Sequence, residues 1–169
     1  QTLVGMLMWL YKTRPDMMFT INLLCRFLSC ATDAHLKLAC GRPLRYLRGS
    51  KYWGIVFHSG TRMWKLFGQS DADLAGDLRT SRSTSGHFVR LGLFGMVSTY
   101  CKLERKISTS TGQAETYALE SLSKNVVWLR HLLADLGMAQ NEPTEVETDN
   151  QGVEGQSTKL VNHATAKHY

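Results

Sequence analysis

The spacing of apolar residues divides the chain into a helical first section and a mixed second section. Apolar positions recur at helical intervals in three stretches, which predicts helices over residues 3–11, 16–27 and 32–47. Beyond these stretches the pattern becomes that of strands mixed with helices. We therefore predict a helical segment over residues 1–50 and an α/β domain over residues 51–169.

Short alternating runs follow the helical segment. They predict strands over residues 52–57 and 63–70, and a hairpin over residues 87–100 with Gly92 near its turn. An acidic stretch, residues 71–77, lies between them and is interpreted as a turn, because Asp and Gly are ordinary turn residues. A strand that ends in an aspartate is also a common way to present a metal ligand, so both interpretations of the stretch stay open.

The best-defined element is a helix that begins after Ser110 and ends near Gly137. Ser110 and Gln113 form a capping pair at its start, and Gly137 is placed as a C-terminal cap. The predicted buried stripe consists of Ala118, Leu122, Val126, Leu129, Leu133 and Leu136. Extended back by three residues, the stripe reaches Glu115. Either the buried carboxylate meets a cation, or Glu115 only favours the helix N-terminus by its charge.

A last predicted strand, residues 144–148, ends in Asp149, and a helix-like pattern follows over residues 151–161. Asp149 is either an N-cap of that helix or a second aspartate presented at a strand end. Together with Asp71 and Glu115 it gives three carboxylates in an order that suits a two-metal nuclease site. Oxygen ligands with open water positions favour two Mg²⁺ ions, with Mn²⁺ as a substitute.

The formal charge of +6 is unevenly distributed. Residues 1–70 carry ten Lys and Arg against two acids, whereas residues 71–169 carry ten against twelve. Arg42, Arg45 and Arg48 recur every three residues and form a basic stripe on the third helix. This distribution suits a protein that binds a polyanion, although a solvated basic surface has the same composition.

The cysteines and the apolar runs exclude two classes of protein. Cys25, Cys30, His35 and Cys40 lie five residues apart, which is wrong for a zinc knuckle because a knuckle needs a tight turn between its first cysteines. We expect these cysteines to be buried and reduced, in a reducing compartment. The apolar run over residues 3–11 is too short to span a bilayer, so no membrane partner is expected.

Several short motifs follow one another along nearly the whole chain. They are Leu3-Val4-Gly5, Thr13-Arg14-Pro15-Asp16, Leu44-Arg45-Tyr46-Leu47-Arg48-Gly49, Ser70-Asp71-Ala72-Asp73, Ala75-Gly76-Asp77, Arg82-Ser83-Thr84-Ser85-Gly86, Ser110-Thr111-Gly112-Gln113-Ala114-Glu115, Trp128-Leu129-Arg130 and Asp149-Asn150-Gln151. In order and spacing this set resembles the Pol polyprotein of copia-type retrotransposons, from the end of the reverse transcriptase through the ribonuclease H domain. The resemblance implies a ribonuclease H-like mixed five-stranded sheet with flanking helices, preceded by a helical segment.

The resemblance also implies an activity, which is Mg²⁺-dependent cleavage of the RNA strand of RNA–DNA hybrids. Asp71, Glu115 and Asp149 match the metal-binding catalytic carboxylates of the family. Ser70 and Asn150 are expected to contact substrate or ligands. The implied partners are the RNA–DNA hybrid and the reverse transcriptase portion of the same polyprotein.

The chain departs from the family pattern at several positions. The pattern has a fourth acid directly after Lys167-His168-Tyr169, which would be residue 170, and the given sequence ends at Tyr169. Leu74 stands in place of a tryptophan, and Gln113 in place of a glutamate. The alternative to an enzyme is therefore a degenerate, non-catalytic nucleic-acid-binding remnant of the same fold, and a third possibility is a purely structural subdomain.

Overall fold

The computed structural model describes residues 1–57, 64–93, 95–150, 152–153 and 155. The chain divides into two compact units, Gln1–Val56 and Phe57–Tyr169. Among the described residues, no helix combines the length and the apolar character needed to cross a bilayer. Cys25, Cys30 and Cys40 are free thiols, and the expected burial is wrong for Cys30 and Cys40, which are exposed.

The first unit is helical, as predicted. Its elements are α1 (Thr2–Leu10), a 3₁₀ turn (Pro15–Met17), α2 (Met18–Cys25) and α3 (Asp33–Gly49). Thr32 caps α3 by accepting a hydrogen bond from the His35 backbone N–H. The core of the unit contains Val4, Leu7, Met17, Ile21, Leu24 and Ala39. Apolar residues at helical spacing thus bury one face of α1 and of α2, and α3 contributes Ala39 to the same core.

Arg14 joins the start of this unit to its end. Arg14 is 7% exposed, and its guanidinium donates to the carbonyl oxygen and the Oγ of Ser50 at 2.9 and 2.7 Å. It also binds both carboxylate oxygens of Asp16, at 3.0 and 2.7 Å, which holds the pKa of Asp16 below its ordinary value. The Tyr46 hydroxyl donates to Asp16 as well. Arg14 is thus a buried cation whose donors are met by an acid and by backbone, as burial of a charge requires.

The second unit is a mixed sheet with one long helix packed on it. Its elements are β1 (Leu66–Asp77), β2 (Arg82–Leu91), β3 (Gly95–Leu103), α4 (Thr111–Asp135) and β4 (Glu145–Thr148). The strand order is β3-β2-β1-β4, with β1 antiparallel to β2 and parallel to β4. The expected hairpin is present as β2 and β3, and Gly92 has a φ of 71° in its turn.

Three predictions about strands need correction. The described residues form a four-stranded sheet instead of the expected five-stranded one. Residues 53–57 form no strand, and Tyr52, at 88% exposure, lies in a turn. The acidic stretch is no turn either, because β1 continues through it and Asp71 and Asp73 pair with residues of β2. The turn lies at residues 78–81 instead.

A helix is also predicted over residues 151–161. Most of that stretch lies outside the described residues.

Helix α4 covers one face of the sheet. Leu122, Val126, Leu129 and Leu133 pack with Leu66 and Val89 of the sheet. Gly68 permits this approach, since a Cβ at this position would lie 2.9 Å from Leu122 Cδ1. The predicted stripe is confirmed except at Leu136, which is 63% exposed because the helix ends at Asp135.

Leu122 is fully buried at the centre of this packing. We expect Leu122→Ala to lower the free energy of unfolding of the second unit by about 2–5 kcal/mol, because the substitution leaves a cavity between α4 and the sheet. Denaturant unfolding followed by circular dichroism measures the change. Val127→Ala is the matched control, since Val127 is 53% exposed on the same helix; a loss as large as that of Leu122→Ala would contradict the packing described.

Candidate metal centre

Two neighbouring parallel strands deliver two of the predicted ligands to the same place. Ser70 of β1 pairs with Thr148 of β4, and this is the last pair of the ladder. Asp71 directly follows Ser70, and Asp149 directly follows Thr148. Both aspartates are exposed. Matching positions of parallel strands point to the same face of a sheet, so the two carboxylates lie side by side.

The third ligand comes from the second turn of α4. Ser110 caps the helix by accepting a hydrogen bond from the Gln113 backbone N–H at 3.2 Å. Glu115 is 2% exposed, and its Oε1 accepts a hydrogen bond from the Ala72 backbone N–H at 3.2 Å. Because the β1–β4 ladder ends at the Ser70–Thr148 pair, two residues before Ala72, Glu115 takes a donor of β1 that no residue of β4 faces. No local sequence pattern indicates the Ala72 contact, since it depends on where β4 ends.

Small residues allow this approach of helix and strand. Ala72 of β1 packs against Ala114 and Ala118 of α4, and both helical alanines are completely buried. A larger side chain at any of these three positions would push the start of α4 away from the sheet. The alanines therefore set the distance at which Glu115 meets the strand.

One carboxylate oxygen from each of Asp71, Glu115 and Asp149 lies within 4.8 Å of the others. The pKa of Glu115 is raised to about 7, mainly by burial and further by the negative charges of Asp149 and Asp71, while the Ala72 hydrogen bond acts in the opposite direction. The other oxygen, Oε2, is buried and has no hydrogen-bond partner among the described residues.

These features fit a divalent cation. Three carboxylates within 4.8 Å repel one another, and a buried carboxylate oxygen without a donor is costly unless a cation meets it. A hard ion with oxygen ligands, such as Mg²⁺, satisfies both conditions. The structure thus brings the three predicted ligands together in an arrangement suited to metal binding.

The neighbouring acids are placed differently. Asp77 accepts hydrogen bonds from the Arg79 backbone N–H at 3.2 Å and the Thr80 hydroxyl at 2.9 Å, which stabilises the β1–β2 turn. Asp73 is exposed on β1 and lies outside the cluster of three. Of these two acids, Asp77 is therefore the one with a turn-forming role.

Two polar residues are expected to contact substrate. Ser70 directly precedes Asp71, and Asn150 directly follows Asp149. Ser70 is 3% exposed, on the side of the sheet that α4 covers. Asn150 Oδ1 accepts hydrogen bonds from the backbone N–H groups of Gly152 and Val153, at 2.9 and 3.2 Å, and thereby caps the turn that follows. Their contact with substrate stays a prediction.

The three predicted phosphate-binding arginines belong to the first unit. Arg42, Arg45 and Arg48 are all exposed on α3. Arg42 and Arg45 border a cavity of about 520 Å³, together with Asp16 and Tyr46. The arrangement leaves all three guanidinium groups accessible to a polyanion.

Comparison with known proteins places the chain in a family. No protein-family model and no solved structure matches it. It is 34% identical to the retrovirus-related Pol polyprotein from transposon RE1 of Arabidopsis thaliana and 33% identical to that from transposon TNT 1-94 of Nicotiana tabacum, each over 98% of the chain. It spans only 11% and 12% of the length of these two relatives.

A shorter relative aligns with three quarters of the chain. The secreted RxLR effector protein 161 of Plasmopara viticola is 39% identical over 75% of the chain and 87% of its own length. The Pol polyproteins match nearly the whole chain, including all three carboxylates' segments and the helical first unit. The chain therefore belongs to the Pol polyprotein family of copia-type retrotransposons.

Proposed function

We propose that the second unit of this chain is a ribonuclease H domain, preceded by the helical end of a reverse transcriptase, and that it cleaves the RNA strand of RNA–DNA hybrids as part of a retrotransposon Pol polyprotein. The observation that carries the proposal is the convergence of Asp71, Glu115 and Asp149 within 4.8 Å. A mixed sheet with one carboxylate on β1, one directly after the parallel neighbour β4 and one on the covering helix is compatible with a ribonuclease H-like fold. The family membership supports the retroelement context.

In this proposal the three carboxylates hold Mg²⁺ ions, with Mn²⁺ as a substitute. When bound, the metal supplies positive charge that acidifies a water nucleophile and offsets negative charge on the leaving oxygen. Glu115 is fixed by the Ala72 N–H, so its position does not depend on the ion. Asp71 and Asp149 face solvent, which leaves the site open to a phosphodiester backbone. The chain itself thus orients the ligands and leaves a side open for substrate.

The arginines of α3 extend the proposal to substrate binding. Arg42, Arg45 and Arg48 are exposed cations on one helix and suit phosphate contacts along a hybrid. The first unit also exposes large apolar side chains on α1, among them Trp9 at 75% and Met6 at 64%. We propose that the reverse transcriptase portion of the same polyprotein covers them.

The direct test is cleavage of a hybrid labelled on its RNA strand. We expect cleavage with Mg²⁺ or Mn²⁺, none with a chelator, and none of the DNA strand. Binding of the hybrid without cleavage at any concentration of either ion would favour the non-catalytic remnant. Neither binding nor cleavage would favour a structural subdomain.

The arginine stripe gives a separate prediction. We expect replacement of Arg42, Arg45 and Arg48 by glutamine to weaken hybrid binding and to reduce the salt slope of log K by about 2–3, because each lost phosphate contact removes about 0.9 from it. Fluorescence anisotropy at several salt concentrations measures both quantities. Lys12→Gln is the control, since Lys12 is an exposed cation outside α3, and an equal change in that variant would remove the stripe from the interface.

A further inference from the structure

A row of polar side chains crosses the sheet beneath α4. Its members occupy matching positions on four adjacent strands, and they are Thr148 on β4, Ser70 on β1, His87 on β2 and Tyr100 on β3. Ser70 and His87 are 3% and 7% exposed, and the His87 ring stacks on the Tyr100 ring with centroids 4.8 Å apart. Side chains opposite one another in register lie on the same face, so these four form one row, which is buried at Ser70 and His87 and half-buried at Thr148 and Tyr100.

Towards β3, the His87 ring of the row has a hydrogen-bond partner on α4. The Asn125 side chain of α4 donates through Nδ2 to His87 Nε2 at 3.1 Å and to Ser98 Oγ at 2.7 Å. Since His87 Nε2 accepts, the proton of the neutral ring is on Nδ1. Burial also lowers the pKa of His87 to about 4, so the ring is neutral at pH 7.

Towards β4, three side-chain atoms of the row have no hydrogen-bond partner among the described residues. His87 Nδ1, Ser70 Oγ and Thr148 Oγ1 are buried atoms without a hydrogen-bond partner in the part of the chain that the structure describes. Buried donors and acceptors are nearly always satisfied, and where protein groups fail, an internal water with about three hydrogen bonds does so. The three atoms offer one donor and two hydroxyl groups on three consecutive strands, and neighbouring strands of a sheet lie about 4.8 Å apart. One water bridges two groups at that spacing, since each of its hydrogen bonds spans about 2.8 Å.

We propose that Ser70, His87 and Thr148 form an internal water-binding site that joins β2, β1 and β4. The ligand is one water molecule, or a short chain of them, held between the His87 imidazole and the two hydroxyl groups. Asn125 fixes the tautomer that presents the Nδ1 proton to the site. The three side chains act together, because removing any one leaves the others unsatisfied.

The location gives this site a consequence for the carboxylate cluster. Ser70 directly precedes Asp71, and Thr148 directly precedes Asp149. The β1–β4 ladder ends at the Ser70–Thr148 pair, so a bridge there ties the two strand ends just before the two ligands leave them. Ser70, His87 and Thr148 are therefore positioning residues for the metal ligands. This consequence rests on the proposed function, whereas the water site itself does not.

A double-mutant cycle between His87→Phe and Thr148→Val tests the water site without metal or substrate. These residues lie on β2 and β4, with β1 between them. We measure amide hydrogen exchange of β1 and β4 in the full chain with a chelator present. Each single variant is expected to speed exchange about tenfold, and the double variant to be about fivefold slower than the product of the two effects, since the second change removes a group that has already lost its partner.

The control pair combines Thr148→Val with Ser85→Ala. Ser85 is also a completely buried serine of β2 whose Oγ has no partner among the described residues, but it lies opposite Ala72, outside the row. For this pair the effects should multiply. Multiplying effects in the His87 pair as well would overturn the proposal. If His87→Phe does not fold, Ser70→Ala takes its place in the cycle and should show the same coupling with Thr148→Val.

The positioning role has its own readout. We expect Ser70→Ala to weaken Mn²⁺ binding about tenfold in titration calorimetry, while exchange of the β3 amides stays unchanged and Ser85→Ala leaves Mn²⁺ affinity as it is. Unchanged Mn²⁺ affinity in Ser70→Ala, together with coupling in the cycle, would leave a water site without a positioning role. Absence of Mn²⁺ binding in the unaltered chain would contradict the proposed function and not the water site.

Discussion

Asp71→Asn is expected to reduce Mg²⁺-dependent cleavage of an RNA–DNA hybrid by about a thousandfold or more. Asp71 lies on the interior strand β1, and one of its carboxylate oxygens is within 4.8 Å of an oxygen of each of the other two carboxylates, so its negative charge acts on any ion that the three hold together. Asparagine keeps the shape of the side chain and removes its negative charge. Loss of several kcal/mol of metal-dependent stabilisation in the transition state corresponds to this reduction in rate. Initial rates at saturating Mg²⁺ give kcat/KM for both proteins.

Asp73→Asn is the matched control for this substitution. Asp73 lies two residues further along the same strand, is exposed, and belongs to no carboxylate cluster among the described residues. We expect the kcat/KM of Asp73→Asn to stay within about twofold of that of the unaltered chain, because solvent screens an exposed charge that lies outside the carboxylate cluster. Equal activity of Asp71→Asn and the unaltered chain would disprove the assigned role of Asp71.

The second large effect concerns stability without metal. We expect Glu115→Gln to raise the free energy of unfolding of the second unit above pH 7 by about 2 kcal/mol. The shift in the pKa of Glu115 from 4.5 to about 7 corresponds to an upper value of about 3 kcal/mol, which is reduced because Asp71 and Asp149 face solvent. Glutamine has no charge to bury and can still accept the hydrogen bond of the Ala72 N–H.

The pH dependence has a definite sign. Between pH 4.5 and about 7 the folded state keeps a proton on Glu115 that the unfolded state releases. The unfolded state therefore binds fewer protons, so the free energy of unfolding falls as the pH rises through this window and is level above it. Glu115→Gln should remove this decline, with no gain below pH 4.5.

Chemical denaturation in the presence of a chelator, at pH 5, 6, 7 and 8, measures this effect. Glu120→Gln is the control, because Glu120 is exposed on the same helix and pairs with Lys124 at the surface; its effect should stay within about 0.5 kcal/mol. In the same Glu115→Gln protein, Mn²⁺ affinity should fall. A Glu115→Gln protein that is less stable at pH 8 would show that the carboxylate is not strained in the absence of metal.

The long helix was predictable because its signals are local. The Ser110 cap, the buried stripe and Gly137 with its φ of 76° all lie within α4 or next to it, and the burial of Glu115 followed from its place on that stripe. Helix periodicity and caps act over a few residues, so a sequence window contains them in full. Leu136 was misplaced because the helix ends one residue before it.

The strands were harder to predict because their partners are distant in sequence. The acidic stretch has the composition of a turn, yet it is extended because Asp71 and Asp73 pair with Gly86 and Thr84 of β2. Turn propensity is weaker than the hydrogen bonds of a partner strand. Residues 53–57 have strand-like alternation but no strand pairs with them in the described part of the chain.

By itself the sequence determined the helical first unit, helix α4, the hairpin and the family, and it pointed to Asp71, Glu115 and Asp149 as the candidate carboxylates. Only the tertiary structure decided that these carboxylates meet. Asp71 and Asp149 are neighbours because β1 and β4, which are far apart in the sequence, pair in parallel. The last pair of this ladder is Ser70 with Thr148. Glu115 joins them because β4 ends where it does and leaves the Ala72 N–H to the helix. Pairing of distant strands depends on the whole packed sheet, so no local pattern carries it.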